Sequence, residues 1–134
     1  MRFIGIREAA IQADLGLDSL IKFINDGDLE TLADEIAERK DLDALAVYND
    51  AAAAELCMAL DSRGVNIPED LKISAFDDVK YAKLLKTPLT TYKQPCRDIG
   101  TAAIETMISR IKNPDLCARK VLLHGQLVVR ESTK

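Results

Sequence analysis

Residues 44–78, ALAVYNDAAAAELCMALDSRGVNIPEDLKISAFDD, place a helical pattern between two short apolar runs. Both runs have the length and continuity of strands that are covered on two faces. Asn49 or Asp50 is placed to cap the helix between them, and Gly64 to end it in a left-handed conformation. A strand, a crossover helix and a second strand in this order predict two parallel neighbours in one sheet.

The same alternation continues on both sides of this stretch. Beyond it, the spacing of apolar residues predicts helices over 2–14, 28–40 and 96–113, a helical turn over 79–86, and strands over 19–24 and 89–94. Two β-rich segments, 118–123 and 126–132, follow with a turn at His124-Gly125 between them. The order predicts an α/β fold in three layers, a parallel sheet with helices on both faces.

Composition narrows the class of protein. The chain has 134 residues, 48% of them hydrophobic, which suffices for the core of one domain. A net charge of -4 without any basic run disfavours a nucleic-acid-binding surface. Three widely spaced cysteines match neither a disulfide framework nor a zinc pattern. No signal-peptide core and no stretch of roughly 18 apolar residues occurs, so we expect a cytoplasmic protein without a membrane partner.

Polar side chains follow two of the predicted strands. Asn49-Asp50 ends one and Asp77-Asp78 ends the next. Carboxyl ends of parallel strands meet at one edge, where ligands collect. An amide and a carboxylate there can each hold two vicinal hydroxyls, which suits a sugar-like polyol. The alternatives are a helix cap for Asn49-Asp50 and a solvated turn for Asp77.

Other candidate residues carry weaker signals. Arg2 could offer a bidentate fork to a carboxylate or to ring oxygens, although a terminal arginine is usually solvated. His124, the only histidine, lacks partners for a catalytic or metal role. No phosphate-binding glycine motif occurs, and we predict no catalytic residue, metal or cofactor. Tyr81, Leu84 and Leu85, with the 51–63 helix, could face a second subunit or pack into the core.

Five blocks of sequence, taken in order, resemble the effector-binding core of the lactose/galactose-repressor (LacI/GalR) family. They are ALAVYND, RGVNIPEDLKISAFDD, PLTTYKQP, IGTAAIETMISRI and QLVVRES, and the match covers nearly the whole chain. The opening RFIGIREA is similar to the family pattern R-x-x-G-(F/W)-x-x-A. Ile6 replaces the aromatic residue of that pattern, a departure that could reduce packing near the cleft.

The resemblance implies a function and a set of site residues. Family members are bacterial transcription regulators with a helix-turn-helix headpiece and two α/β subdomains that close on a small molecule, usually a sugar. Carried over by position, Arg2, Asn49 and Asp77 hold ligand hydroxyls from the C-terminal subdomain. The resemblance also implies a homodimer, with an interface formed by Leu56, Leu60, Tyr81 and Leu84.

The resemblance also divides the chain. Residues 1–88 would be the C-terminal subdomain, 89–125 a crossover strand, helix and strand that pack on an N-terminal subdomain, and 126–134 a return strand. The headpiece and most of that subdomain are not in this sequence, so we expect a fragment of a longer regulator. The apolar face of helix 96–111 would then be exposed, and we expect it to be re-docked, swapped with a neighbour or covered by an oligomer contact.

Three functions compete on these grounds. The first is the ligand-sensing and dimerising part of a cytoplasmic LacI-type regulator, not an enzyme, which reaches DNA only through its missing headpiece. The second is a fragment of a periplasmic sugar-binding protein of an ABC transporter. The third, a small enzyme using Asp77-Asp78 as an acid/base pair, is the weakest, because adjacent carboxylates at a strand end usually point to different sides.

Overall fold

The computed structural model describes residues 2–16 and 28–134, which form four helices, four strands and two short 3₁₀ turns. The helices are α1 (Arg2–Gln12), α2 (Leu29–Glu38), α3 (Asp50–Ser62) and α4 (Cys96–Lys112). The strands are β1 (Ala44–Ala46), β2 (Lys72–Phe76), β3 (Thr90–Lys93) and β4 (Gln126–Val128), and the 3₁₀ turns are Lys80–Lys83 and Glu131–Thr133. The predicted strand 19–24 lies outside the described residues.

The strands form one open sheet in the order β1-β2-β3-β4. β1, β2 and β3 are parallel, with Ala46 beside Ser74 and Phe76 beside Tyr92. β4 pairs antiparallel with β3, starting where Gln126 lies opposite Lys93. The prediction of a wholly parallel sheet is therefore wrong at β4, because the chain re-enters the sheet from the carboxyl end of β3.

The predicted β-rich segment 118–123 is also corrected. These residues have no regular secondary structure, and only the later segment contains a strand. Val121 and Leu122 are exposed instead of paired. A short run of β-forming residues without a strand partner cannot satisfy its backbone groups as a ladder does, so propensity alone misleads here.

The core lies where α2 and α3 pack together and α3 contacts β2. Small alanines along α3 let these elements approach closely. Both predicted ends of α3 are confirmed: Asn49 caps its start, and Gly64 follows its end with φ +75°. The buried apolar residues of this core cluster are Ala33, Ile36, Ala53, Leu56, Ala59, Leu60, Leu71, Ile73, Ala75, Ala82 and Leu89.

Two of the four residues predicted for the dimer interface are buried in the core. Leu56 and Leu60 are 3% and 0% exposed, so they offer no surface to a second subunit. They lie four residues apart on one side of α3, and that side packs into the core cluster. Tyr81 and Leu84 are 43% and 76% exposed and stay predicted interface residues.

α4 contributes no buried residue to the chain. Ile104, Met107 and Ile111 are each more than half exposed on its surface. The expectation that this helix re-docks on its own chain is therefore wrong. Exchange with a neighbour or cover by an oligomer contact stays a prediction.

The burial of Cys57 gives a test of the core. Burial raises the pKa of the Cys57 thiol to about 11, because the thiolate loses hydration. Cys96 and Cys117 are exposed. Since the thiolate is the reactive form, we expect iodoacetamide at neutral pH to label Cys96 and Cys117 well before Cys57, as followed by peptide mass spectrometry. In the urea-unfolded chain the three rates should converge, and equal rates in the folded chain would contradict the described burial.

Candidate ligand-binding site

The carboxyl ends of β1, β2 and β3 meet at one edge of the sheet. Asn49 caps α3 after β1, Asp77 follows β2, and Gln94 follows β3. The Asp77 N–H donates to the carbonyl of Tyr92 at 3.0 Å, and Gln94 Nε2 donates to Asp77 Oδ1 at 2.5 Å. The structure thus brings two polar side chains into direct contact at the predicted edge.

Asn49 combines the two roles that its sequence position allowed. Its backbone is extended, with φ −155°, and its Oδ1 accepts the N–H of Ala52 at 2.8 Å. The predicted capping role is confirmed. Its Nδ2 has no hydrogen-bond partner among the described residues, and the side chain is only half-buried. The amide N–H groups therefore remain as donors at this edge.

Asp50 belongs to the interior and not to the site. It is 0% exposed, its Oδ1 accepts from Thr91 Oγ1 at 2.5 Å, and its Oδ2 accepts from the N–H of Val79 at 2.8 Å. These bonds join the start of α3 to β3 and to the segment after β2. Within the Asn-Asp pair, only Asn49 can contact a ligand.

Asp77 and Asp78 have a backbone conformation that L-residues rarely adopt. Their φ angles are +118° and +55°. Each such conformation costs about 1–3 kcal/mol and persists only where surrounding contacts enforce it, often at binding sites. Asp77 is half-buried and bonded to Gln94, so the alternative of a freely solvated turn does not describe it.

The two adjacent carboxylates bond to different partners. Asp77 accepts from Gln94, whereas Asp78 Oδ1 accepts from Arg130 Nη2 at 2.5 Å, in a pair whose side chains are 17% (Arg130) and 14% (Asp78) exposed. An acid/base pair needs both carboxyl groups to face one reacting centre. The arrangement therefore lacks the geometry of the enzyme alternative.

The chemistry of this edge suits a neutral, hydroxyl-rich ligand. It presents amide donors from Asn49 and a carboxylate from Asp77, which match the donor and acceptor sites of vicinal hydroxyls. In the described part of the chain, no group of three or more His, Cys, Asp or Glu could hold a metal ion. Nor does any helix within the described ranges combine the length and apolar character needed to cross a bilayer.

Sequence reasoning found some of these residues and missed others. Arg2 begins α1, but its side chain lies outside what the structure describes, so its ligand role stays a prediction. Gln94 was missed, although its place directly after a predicted strand, at the same edge as Asp77, was a usable signal. Arg130 lies 52 residues from Asp78, and nothing local in the sequence indicates that pair.

Comparison with known proteins gives relatives that match most or nearly all of the chain. A family model described as a periplasmic binding protein-like domain matches residues 1–133. The HTH-type transcriptional repressor PurR of Vibrio vulnificus is 33% identical, over 99% of this chain and 41% of the repressor. The ribose operon repressor of Haemophilus influenzae is 39% identical, over 66% of this chain and 27% of the repressor. The chain thus spans less than half the length of these relatives.

Solved structures agree with the predicted fold. A periplasmic binding protein/LacI transcriptional regulator from Alkaliphilus metalliredigens, complexed with D-xylulofuranose, is 31% identical, with a TM-score of 0.77. The match covers 99% of this chain and 51% of that one. A LacI family transcriptional regulator from Enterococcus faecium with bound ribose, 24% identical, shares the fold with a TM-score of 0.84, over 98% of this chain and 50% of that one.

These matches confirm the predicted α/β fold and show that it is of the periplasmic-binding-protein-like type, here with an open mixed sheet. They also agree with the resemblance carried by the five sequence blocks. The chain belongs to the periplasmic binding protein-like domain family, in the form that LacI-family transcriptional regulators carry.

Proposed function

We propose that this chain is the effector-binding and dimerising part of a cytoplasmic LacI-type transcription regulator, and that it is not an enzyme. Its edge with Asn49 and Asp77 would supply half of a cleft for a small sugar. One observation carries the proposal: Asp77, held in a strained conformation, lies at the carboxyl edge of the sheet, where the Asn49 cap leaves amide donors available. Arg2, at the start of α1, would add a third contact.

The chemistry of the relatives supports a sugar as the effector class. The solved relative from Alkaliphilus metalliredigens is complexed with D-xylulofuranose, and one curated relative is a ribose operon repressor. Both names refer to five-carbon sugars, whose vicinal hydroxyls fit the donors and acceptors at this edge. The curated relatives are repressors, so we do not propose the transport receptor that was the alternative.

The mechanism would be a shift between conformations. The matched relatives are more than twice as long as the matched segment. We therefore propose that a second α/β half closes over the ligand, and that DNA is bound by a separate headpiece. A ligand can move such an equilibrium only as far as its affinities for the two states differ.

We keep the division of the chain as a proposal. Residues 1–88 would form the C-terminal subdomain, 89–125 would contain the segment that packs on the second half, and 126–134 would return from it. The uncovered apolar surface of α4 supports this division, because a contiguous exposed apolar face usually marks an interface. β3, the first strand of the middle segment, pairs with β2 of the first segment. Within 89–125, the part that packs on the second half would therefore follow β3.

We also propose a homodimer that uses the outer side of α3. Leu84 and Met58 are 76% and 71% exposed, and Tyr81 is 43% exposed. A surface depression of about 250 Å³ lies beside them, lined by Met58, Leu85 and Ile67 among others. Lys86 and Asp61, which also line the depression, form an ion pair 2.5 Å long. An apolar centre with a charged rim is typical of an interface between subunits.

A thermal-shift titration tests the proposed site. D-ribose and D-xylulose at millimolar concentration should raise the melting temperature, because a ligand that binds only the folded state stabilises it. Asp77→Asn should weaken binding about tenfold, since a charge-assisted hydrogen bond is worth about 1.5–3 kcal/mol. The matched control is Asp43→Asn. Asp43 is an exposed aspartate directly before β1, at the amino ends of the parallel strands and so at the opposite edge of the sheet. If Asp77→Asn and Asp43→Asn bound the sugars with equal affinity, Asp77 would not be part of the binding site.

A further inference from the structure

We propose that Arg130 is a positioning residue, which keeps Asp77 in its ligand-binding conformation by anchoring the neighbouring Asp78. The inference rests on the proposed role of Asp77 in ligand binding, but its structural part can be tested without a ligand. It starts from the two consecutive positive φ angles at the end of β2. A turn of this kind relaxes unless contacts around it hold it in place.

Arg130 binds Asp78 and is itself held in place by further hydrogen bonds. Its Nη2 donates to Asp78 Oδ1 at 2.5 Å and its Nη1 donates to the carbonyl of Leu89 at 2.7 Å. Its own N–H donates to Thr90 Oγ1 at 2.8 Å, and Thr90 Oγ1 donates to the Arg130 carbonyl at 3.1 Å. The backbone of Arg130 is therefore bonded to Thr90 of β3, and its guanidinium is bonded to Leu89, the residue directly before that strand.

A second set of contacts holds the backbone of the turn. The N–H of Asp78 donates to Thr91 Oγ1 at 3.3 Å, and the N–H of Val79 donates to Asp50 Oδ2 at 2.8 Å. Thr91 Oγ1 in turn donates to Asp50 Oδ1. These bonds fix the backbone of residues 78–79, whereas Arg130 fixes the Asp78 side chain. With both in place, the turn keeps the Asp77 carboxylate at the carboxyl edge of the sheet, where it accepts from Gln94.

Removing Arg130 would release this turn by leaving a charge without its partner. The Asp78 side chain is 14% exposed, and a mostly buried carboxylate without a counter-ion is costly. The carboxylate could regain solvation by rotating outward, and the positive φ angles would then lose one of the contacts that enforce them. The Asp77 carboxylate would turn with its neighbour.

A second arginine of the chain gives a matched control. Arg63 also bridges carboxylates and a backbone carbonyl: Nε donates to Asp34 Oδ1 at 2.6 Å, and Nη1 donates to the carbonyl of Ala59 at 2.9 Å. Its side chain is 19% exposed, close to the 17% of Arg130. It joins α3 to α2, away from the sheet edge. Loss of Arg63 should therefore affect stability without affecting the turn.

The experiment compares Arg130→Gln with Arg63→Gln by amide hydrogen exchange, read residue by residue with NMR. After correction for the change in global stability, the amides of Asp77 and Val79 should exchange about tenfold faster in Arg130→Gln, a change of about 1.4 kcal/mol. Arg63→Gln should leave both corrected rates unchanged. If Arg130→Gln does not fold, Arg130→Lys replaces it. Lysine retains the charge but only one of the two guanidinium contacts, so the corrected exchange rates of Asp77 and Val79 should rise by a smaller factor.

A D-ribose titration of the same proteins separates this inference from the proposed function. If the wild-type chain binds D-ribose, Arg130→Gln should raise the dissociation constant about tenfold and Arg63→Gln should not. Faster exchange at Asp77 and Val79 supports the positioning role even if D-ribose fails to bind the wild-type chain, a failure that counts against the proposed function alone. Equal corrected exchange rates in the two glutamine variants, or D-ribose binding by Arg130→Gln at wild-type strength, would overturn the inference.

Discussion

Replacing Asp50 by alanine is expected to lower the free energy of unfolding by about 2–6 kcal/mol. The carboxylate is fully buried and accepts two hydrogen bonds, from the N–H of Val79 and from Thr91 Oγ1. Alanine leaves both donors without an acceptor, and each buried unsatisfied group costs roughly 1–3 kcal/mol. Urea denaturation followed by circular dichroism measures the loss.

Asp98→Ala is the matched control for this prediction. Asp98, like Asp50, lies in the first turn of a helix, but it is exposed. Its removal takes away only the favourable interaction with the helix dipole, about 0.3–1 kcal/mol. A loss in Asp50→Ala that is no larger than in Asp98→Ala would show that the buried bonds contribute little. Asp50→Asn, which retains one side-chain acceptor, should fall between the two.

Leu60→Ala should cost about 3–5 kcal/mol of unfolding free energy, because the side chain is 0% exposed and its removal leaves a cavity. It packs in the cluster that joins α3 to α2 and β2. Leu84→Ala is the comparison, since Leu84 is 76% exposed and should change the stability of the subunit by less than about 0.5 kcal/mol.

The same pair of variants tests the proposed dimer. Sedimentation velocity should show that Leu84→Ala self-associates more weakly than the wild-type chain, at a protein concentration where both variants are folded. Leu60→Ala should change association only through loss of folded protein. A Leu60 variant that keeps its stability but no longer associates would reverse the assignment and return Leu60 to the interface.

The strand-helix-strand unit is predictable from sequence because its signals are local. Asn49 and Gly64 mark the two ends of α3, and both positions act as the sequence indicates. The face of α3 that is buried is not predictable in the same way. Apolar residues occur on several sides of this helix, so spacing alone does not separate buried Leu60 from exposed Met58.

The candidate site is predictable in outline for a different reason. Carboxyl ends of parallel strands meet at one edge whatever the register, so the order of the elements is enough to place Asn49 and Asp77 together. The contacts that shape the site join distant residues: Asp50 meets Thr91 across 41 positions, and Asp78 meets Arg130 across 52. Such pairs depend on sheet order and on the antiparallel β4, which no local pattern fixes.

The proposed function depends on whether a sugar binds at the carboxyl edge of the sheet, and ¹H–¹⁵N chemical-shift mapping during a D-ribose titration answers this question residue by residue. Binding at that edge should produce progressive, saturable shifts at the amides of Asn49, Asp77 and Gln94, with little change at the amino edge near Asp43. The absence of saturable shifts, or shifts confined to α4 or to the outer side of α3, would contradict the proposed site.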